Sequence, residues 1–165
     1  MAERYAATQG RIRSISLVHE LIYRTEFGTG LDFRTYLEEL VHGISTLYDQ
    51  PGARVEILPS SRPVQGGVDF SVDFGLVVNE LVTNAFKHGI VPAGGGLVTV
   101  GLELEGSTLV LRVRDTGSGY TPQESDGTSL GLSLVRAVLK KYKAELQLWH
   151  DSGTIAEVRI PWEDQ

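Results

Sequence analysis

Apolar residues at helical spacing, Leu76, Val77, Leu81, Val82, Ala85 and Phe86, alternate with a polar set, Asn79, Glu80, Asn84, Lys87 and His88. The periodicity predicts a helix with one face in a core. Glu80 and Asn84 are four residues apart and so share a stripe, and Lys87, three further on, reaches the same side. A carboxylate, an amide oxygen and an ammonium on one stripe are poor core material. They suit a polyphosphate: the carboxylate takes or orients a proton, the amide oxygen meets a hard cation and the ammonium offsets phosphate charge. The same residues also fit an ordinary solvated face, so the stretch alone does not decide.

The chain of 165 residues is long enough for one well-buried core. A net charge of -6 argues against a general nucleic-acid binder. Without cysteine there is no disulfide, thiolate nucleophile or zinc–cysteine site. No run is long and apolar enough to span a bilayer, and the first residues do not read as a signal peptide. The expectation is a cytoplasmic domain, on its own or as the cytoplasmic part of a larger sensor protein.

Ile12, Ile15, Val18, Leu21 and Ile22 predict an amphipathic helix over about 6–24. Gly28 and Gly30 break it. Asp32 is a helix N-cap for a second helix with Phe33, Leu37, Leu40, Val41, Ile44 and Leu47 on one side, ending before Pro51-Gly52. A strand follows around Val55 and Ile57. Ser71 or Asp73 is expected to cap the helix that carries Asn79 to His88. Residues 89–96, with Pro92 and three consecutive glycines, read as a connecting loop, since no lysine–serine pair follows as a P-loop requires. Strands over 97–105 and 108–115 flank a Gly106-Ser107 hairpin turn, a helix opens at Leu130, and two last strands over about 145–150 and 154–161 are joined by Asp151-Ser152-Gly153. This order predicts an α/β sandwich, a mixed sheet covered on one face by helices, after a helical segment.

Three segments stand in sequence: Asn79-Glu80-x-x-x-Asn84-Ala85-x-Lys87-His88, Asp115-x-Gly117-x-Gly119, and Gly127-Thr128-Ser129-Leu130-Gly131-Leu132. They resemble the N box and two glycine boxes of the GHKL ATPase superfamily, which includes DNA gyrase, the heat-shock-90 chaperones, sensor histidine kinases and mismatch-repair proteins. The resemblance is to a sensor histidine kinase of the short-lid subgroup. It implies a Bergerat-type sandwich with a mostly antiparallel sheet, an ATP-binding kinase domain over 51–165, and a segment over 1–50 like the end of a dimerisation and phosphotransfer region.

The resemblance also implies roles. Asp115 would receive the adenine amine, which the other boxes favour over the local alternative of an Asx-turn or cap. Gly117 and Gly119 would let the backbone approach the base. Leu130, Gly131 and Leu132 lie where amides at a helix start meet triphosphate oxygens. Thr128 and Ser129 would either add hydroxyl donors there or cap the helix; the family usually has glycine in place of Ser129. Asn84 would bind Mg²⁺, Glu80 would accept the proton or orient the nucleophile, and Lys87 would neutralise phosphate charge. Asn79 would assist by hydrogen bonding or face solvent, and His88 would touch nucleotide or cap the helix. The cofactors implied are ATP and Mg²⁺. The partners implied are a phosphoacceptor histidine helix, a response regulator receiver domain and a second copy of the chain, with no nucleic acid and no membrane contact. His19-Glu20-Leu21 resembles the start of a phosphoacceptor box, but Ile22-Tyr23-Arg24 does not continue it, so a helix-face histidine is expected and the chain reads as starting after the acceptor helix. An anti-sigma-factor-type serine/threonine kinase and a non-catalytic nucleotide-binding or dimerisation module are the alternatives.

Overall fold

The computed structural model describes residues 31–48, 50–118 and 130–162, together with Gln9, Ile12, Ser16 and Glu20, which are helical and exposed. A short strand β1 (Leu31–Asp32) leads into α1 (Phe33–Ser45) and a 3-10 turn (Thr46–Tyr48). Then come β2 (Ala53–Ile57), β3 (Gln65–Gly66) and α2 (Val68–Asn84), which runs without a break into a π-helical segment (Ala85–Ile90) and one more turn, α3 (Val91–Ala93). The remainder is β4 (Gly96–Glu105), β5 (Thr108–Asp115), α4 (Leu130–Lys141), β6 (Glu145–His150) and β7 (Thr154–Pro161).

The main sheet has the order β2-β4-β5-β7-β6. Only β2 and β4 are parallel; the other three pairs are antiparallel. This is the mixed, mostly antiparallel sheet that the sequence predicts. A separate antiparallel pair joins β1 to β3. The inward residues of β4, β5 and β7, such as Val98, Val100, Leu109, Leu111, Val113, Val158 and Ile160, form one core with α1, α2 and α4. The opposite face carries charge. Arg112 bonds Glu105 and Glu157, and Arg159 bonds the same two carboxylates, tying β4, β5 and β7 together.

Helix α2 is the centre of the molecule, packed between α1 and α4. Its burial is nearly all-round, and among its buried side chains are the polar Ser71, Asn79, Glu80 and Thr83. It starts earlier than the sequence suggests. Gly67 is the N-cap, with no side-chain hydrogen bond, so neither Ser71 nor Asp73 caps the helix. Ser71 Oγ instead donates to Gly67 O. Asp73 accepts from Tyr142 Oη at 2.6 Å and Lys141 Nζ at 2.8 Å, fastening α2 to the end of α4.

Helix α1 begins as expected: the Asp32 carboxylate accepts from the Arg34 and Thr35 amides. Its buried face joins the same core, with Phe33 stacked on Phe74 and set edge-on to Trp162. Leu47 is the exception. The helix has already tightened into its 3-10 turn there, which leaves Leu47 exposed rather than on the packed side. The 89–96 region is not one loop: most of it is helical, Gly94 and Gly95 turn, and Gly96 opens β4; all three glycines have positive φ, and Gly96 N donates to Gly52 O.

Candidate nucleotide site

Two of the three segments meet at the junction of α2, the π-helical segment and the end of β5. Asp115, the last residue of β5, is 2% exposed. Its Oδ1 accepts from Gly117 N at 2.9 Å and Thr154 N at 3.3 Å. The Asx-turn reading is therefore correct as local geometry, and it leaves Oδ2 without a hydrogen bond among the described residues. Next to it, Thr116 closes β5 onto β4: its amide donates to Leu97 O and its Oγ1 accepts from Leu97 N.

Glycines let the backbone close around this carboxylate. A Cβ on Gly89 would lie 2.5 Å from Asp115 Cγ, and one on Gly117 would lie 2.2 Å from Gly89 C and O. A Cβ on Gly153 would strike Asp115 O at 1.8 Å, and its φ of 129° is itself glycine-like. Gly89, Gly153 and Thr154 are missed by motif reading. Gly89 stands in what looks like a connector, and Gly153-Thr154 reads only as a hairpin turn. The available signal is a glycine directly after His88 and another directly before β7.

The widened π turn brings Gly89 to this place. More residues fill a π turn than an α turn, so the residues after Asn84 are rotated from their α-helical positions. Lys87 and His88, both half-buried, therefore do not continue the Glu80–Asn84 stripe in simple three-residue register. His88 is not a C-terminal cap, because helical backbone continues past it to Ala93. Glu80 is 4% exposed, and Asn84 is half-buried at the end of α2. Asn79, expected among the nucleotide contacts or facing solvent, is 0% exposed. Its Nδ2 donates to Glu80 Oε1 at 3.3 Å, so it holds Glu80 from the core side. Gly131 and the buried Leu132 lie in the first turn of α4. Gly119, Thr128 and Ser129 lie outside the described residues, as does His19. Among the described residues there is no cluster of three or more His, Asp or Glu side chains able to hold a metal alone. A single amide oxygen, from Asn84, nonetheless fits a Mg²⁺ that takes its other ligands from water and phosphate.

Residues 69–164 match the family described as histidine kinase-, DNA gyrase B-, and HSP90-like ATPase, and residues 1–48 match a histidine kinase family. The chain belongs to the first of these families. It is 27% identical over 135 residues to blue-light-activated histidine kinase 2 of Erythrobacter litoralis, an alignment covering 79% of this chain and 38% of that protein. An uncharacterized sensor-like histidine kinase of Rhizobium meliloti is 33% identical over 109 residues, 53% of this chain and 20% of that protein. The chain thus spans well under half the length of either relative. The histidine kinase domain of the Erythrobacter litoralis EL346 blue-light activated kinase has the same fold, with a TM-score of 0.82 at 23% identity over 94% of this chain and 74% of that one. The ATP binding domain of PrrB from Mycobacterium tuberculosis superposes with a TM-score of 0.64 at 24% identity, over 81% and 96% of the two chains. Among the described residues no helix is long and apolar enough to cross a membrane.

Proposed function

We propose that this chain binds Mg·ATP and passes its γ-phosphoryl group to a histidine presented by a dimerisation helix, from which it moves to an aspartate on a response regulator receiver domain. The buried Asp115 carboxylate carries this reading: Oδ1 is held by two backbone amides while Oδ2 stays available beside Gly89 and Gly117. A carboxyl acceptor with bare backbone around it suits the amino edge of a flat purine. Asn84 would hold Mg²⁺, which supplies charge neutralisation at the phosphates. Lys87 and His88 would meet phosphate, and the amides of Leu130, Gly131 and Leu132, with Thr128, Ser129 and Gly119, would complete the nucleotide contacts. Glu80 would orient the imidazole nucleophile and take its proton. Asn79 acts behind Glu80 rather than on the nucleotide.

The match of residues 1–48 to a histidine kinase family supports this reading over a serine/threonine kinase of the anti-sigma type. It also supports dimerisation through the helical segment; a setting on the cytoplasmic side belongs to the same proposal. We place the working boundary of the kinase fold before Leu31 rather than at residue 50, because α1 shares its core.

The test is calorimetry with a non-hydrolysable ATP analogue, with and without Mg²⁺, followed by transfer of labelled phosphate to an acceptor helix pair supplied in trans. Mg²⁺-dependent binding and acid-labile label on the acceptor are expected. Absence of nucleotide binding overturns the reading, and label that stays on this chain and is lost in His19→Gln reassigns the acceptor.

A further inference from the structure

Two buried side-chain polar atoms among the described residues have no hydrogen-bond partner: Tyr36 Oη on α1 and Asn79 Oδ1 on α2. Both residues are 0% exposed. The end of the Tyr36 side chain occupies the place of the side chain that Gly75 lacks, since a Cβ on Gly75 would lie 1.7 Å from Oη and 2.8 Å from Cζ. Asn79 is four residues beyond Gly75 and therefore on the same stripe of α2. Helical side chains lean back over the preceding turn, so the Asn79 amide leans over Gly75, where the phenol arrives.

The two atoms are complementary. Burial pushes the Tyr36 phenol well above its ordinary pKa of 10, so it remains a neutral O–H donor. Asn79 Oδ1 is an acceptor only. A hydroxyl and an amide oxygen buried unpaired are each destabilising, and one water bridging them satisfies both. The orientation of Asn79 is set independently, because the flipped amide would turn Oδ1 toward the Glu80 carboxylate that Nδ2 now binds.

We propose that Tyr36 is a positioning residue whose hydroxyl, not bonded directly to Asn79 Oδ1, reaches it across one enclosed water and so holds the Asn79 amide in the orientation that hydrogen-bonds Glu80. Helix α1 then contributes to the reaction through a chain of three side chains, Tyr36, Asn79 and Glu80. The catalytic consequence rests on the proposed role of Glu80; the water bridge itself does not.

The experiment is a double-mutant cycle in thermal unfolding on the full chain, with Tyr36→Phe, Asn79→Leu and the pair. Tyr36→Phe alone is expected to lower Tm by roughly 2–6 °C. In the Asn79→Leu background it should change nothing or raise Tm, because no acceptor is then orphaned. Equal shifts in both backgrounds overturn the proposal. Should Asn79→Leu fail to fold, the Asn79 side-chain NH₂ resonances of the Tyr36→Phe protein decide: a changed shift and faster exchange support the contact, and unmoved signals overturn it. In phosphoryl transfer to an acceptor supplied in trans, Tyr36→Phe should lower kcat about tenfold with ATP affinity unchanged. Coupled stability with unchanged kcat overturns the positioning role through Glu80 while the water bridge stands.

Discussion

Gly89 lies so close to the carboxylate of Asp115 that a Cβ on it would sit 2.5 Å from both Cγ and Oδ1. One belongs to the π-helical continuation of α2 and the other ends β5, so their contact locks the central helix to the sheet at the edge proposed to hold nucleotide. Gly117 closes the arrangement from the other side, against the Gly89 backbone.

Gly89→Ala should therefore displace Asp115 without removing any polar group. Asp115→Asn should keep the shape but place an amide donor where, in the proposed site, the adenine amine would also donate. Both are expected to weaken ATP-analogue binding by about 10–100-fold, the loss of one charge-assisted hydrogen bond or somewhat more. Calorimetry checks this, with circular dichroism to show that the fold persists. Wild-type affinity in Asp115→Asn would remove it from the site.

Glu80 and Asn84 share a stripe of α2 but are assigned different work. Glu80→Gln is expected to lower phosphoryl transfer by about 10²–10⁴-fold while leaving Mg·ATP affinity near wild type. Asn84→Ala should abolish transfer and also flatten the Mg²⁺ dependence of nucleotide binding. Transfer measured across a Mg²⁺ titration separates the two.

Phe33 lies on α1, yet it contacts Phe70 and Phe74 on α2 and Trp162 after β7. Phe33→Ala should cost about 3–5 kcal/mol of stability, read as a lower denaturant midpoint. A shift well below this would mean that α1 is an appendage and that the kinase fold begins nearer residue 50.

The outer face of the sheet gives a pH dependence. Burial raises the Glu157 pKa, but hydrogen bonds from Arg112 and Arg159 outweigh it and hold it below its ordinary 4.5. Hydrogen bonds from Arg159 and Arg112 likewise hold Glu105 low. A carboxylate with a depressed folded pKa contributes stability above its unfolded value and loses it as pH falls through the folded one. Tm should therefore be flat on this account from neutral pH to about 5 and fall below about 4.5. Glu157→Gln should be less stable at neutral pH and show a shallower acid limb, as followed by thermal melts.

Much of this was legible in the residues themselves. The alternation on either side of Gly106-Ser107 marks β4 and β5, Asp32 marks the start of α1, and the spacing of Asn79 to His88, Asp115 to Gly119 and Gly127 to Leu132 marks the nucleotide family. These signals are local: each depends on residues within a turn or two of one another. The tertiary structure decided what depends on neighbours distant in sequence. Asp73 looks like a cap but answers Tyr142 and Lys141. Asn79 looks like a surface amide but is fully buried in the packed structure. Gly89 looks like the start of a loop until a π turn carries it to Asp115. No spacing rule reports such contacts, because they arise only when helix and sheet close on each other and leave room for a hydrogen atom but not for a methyl group.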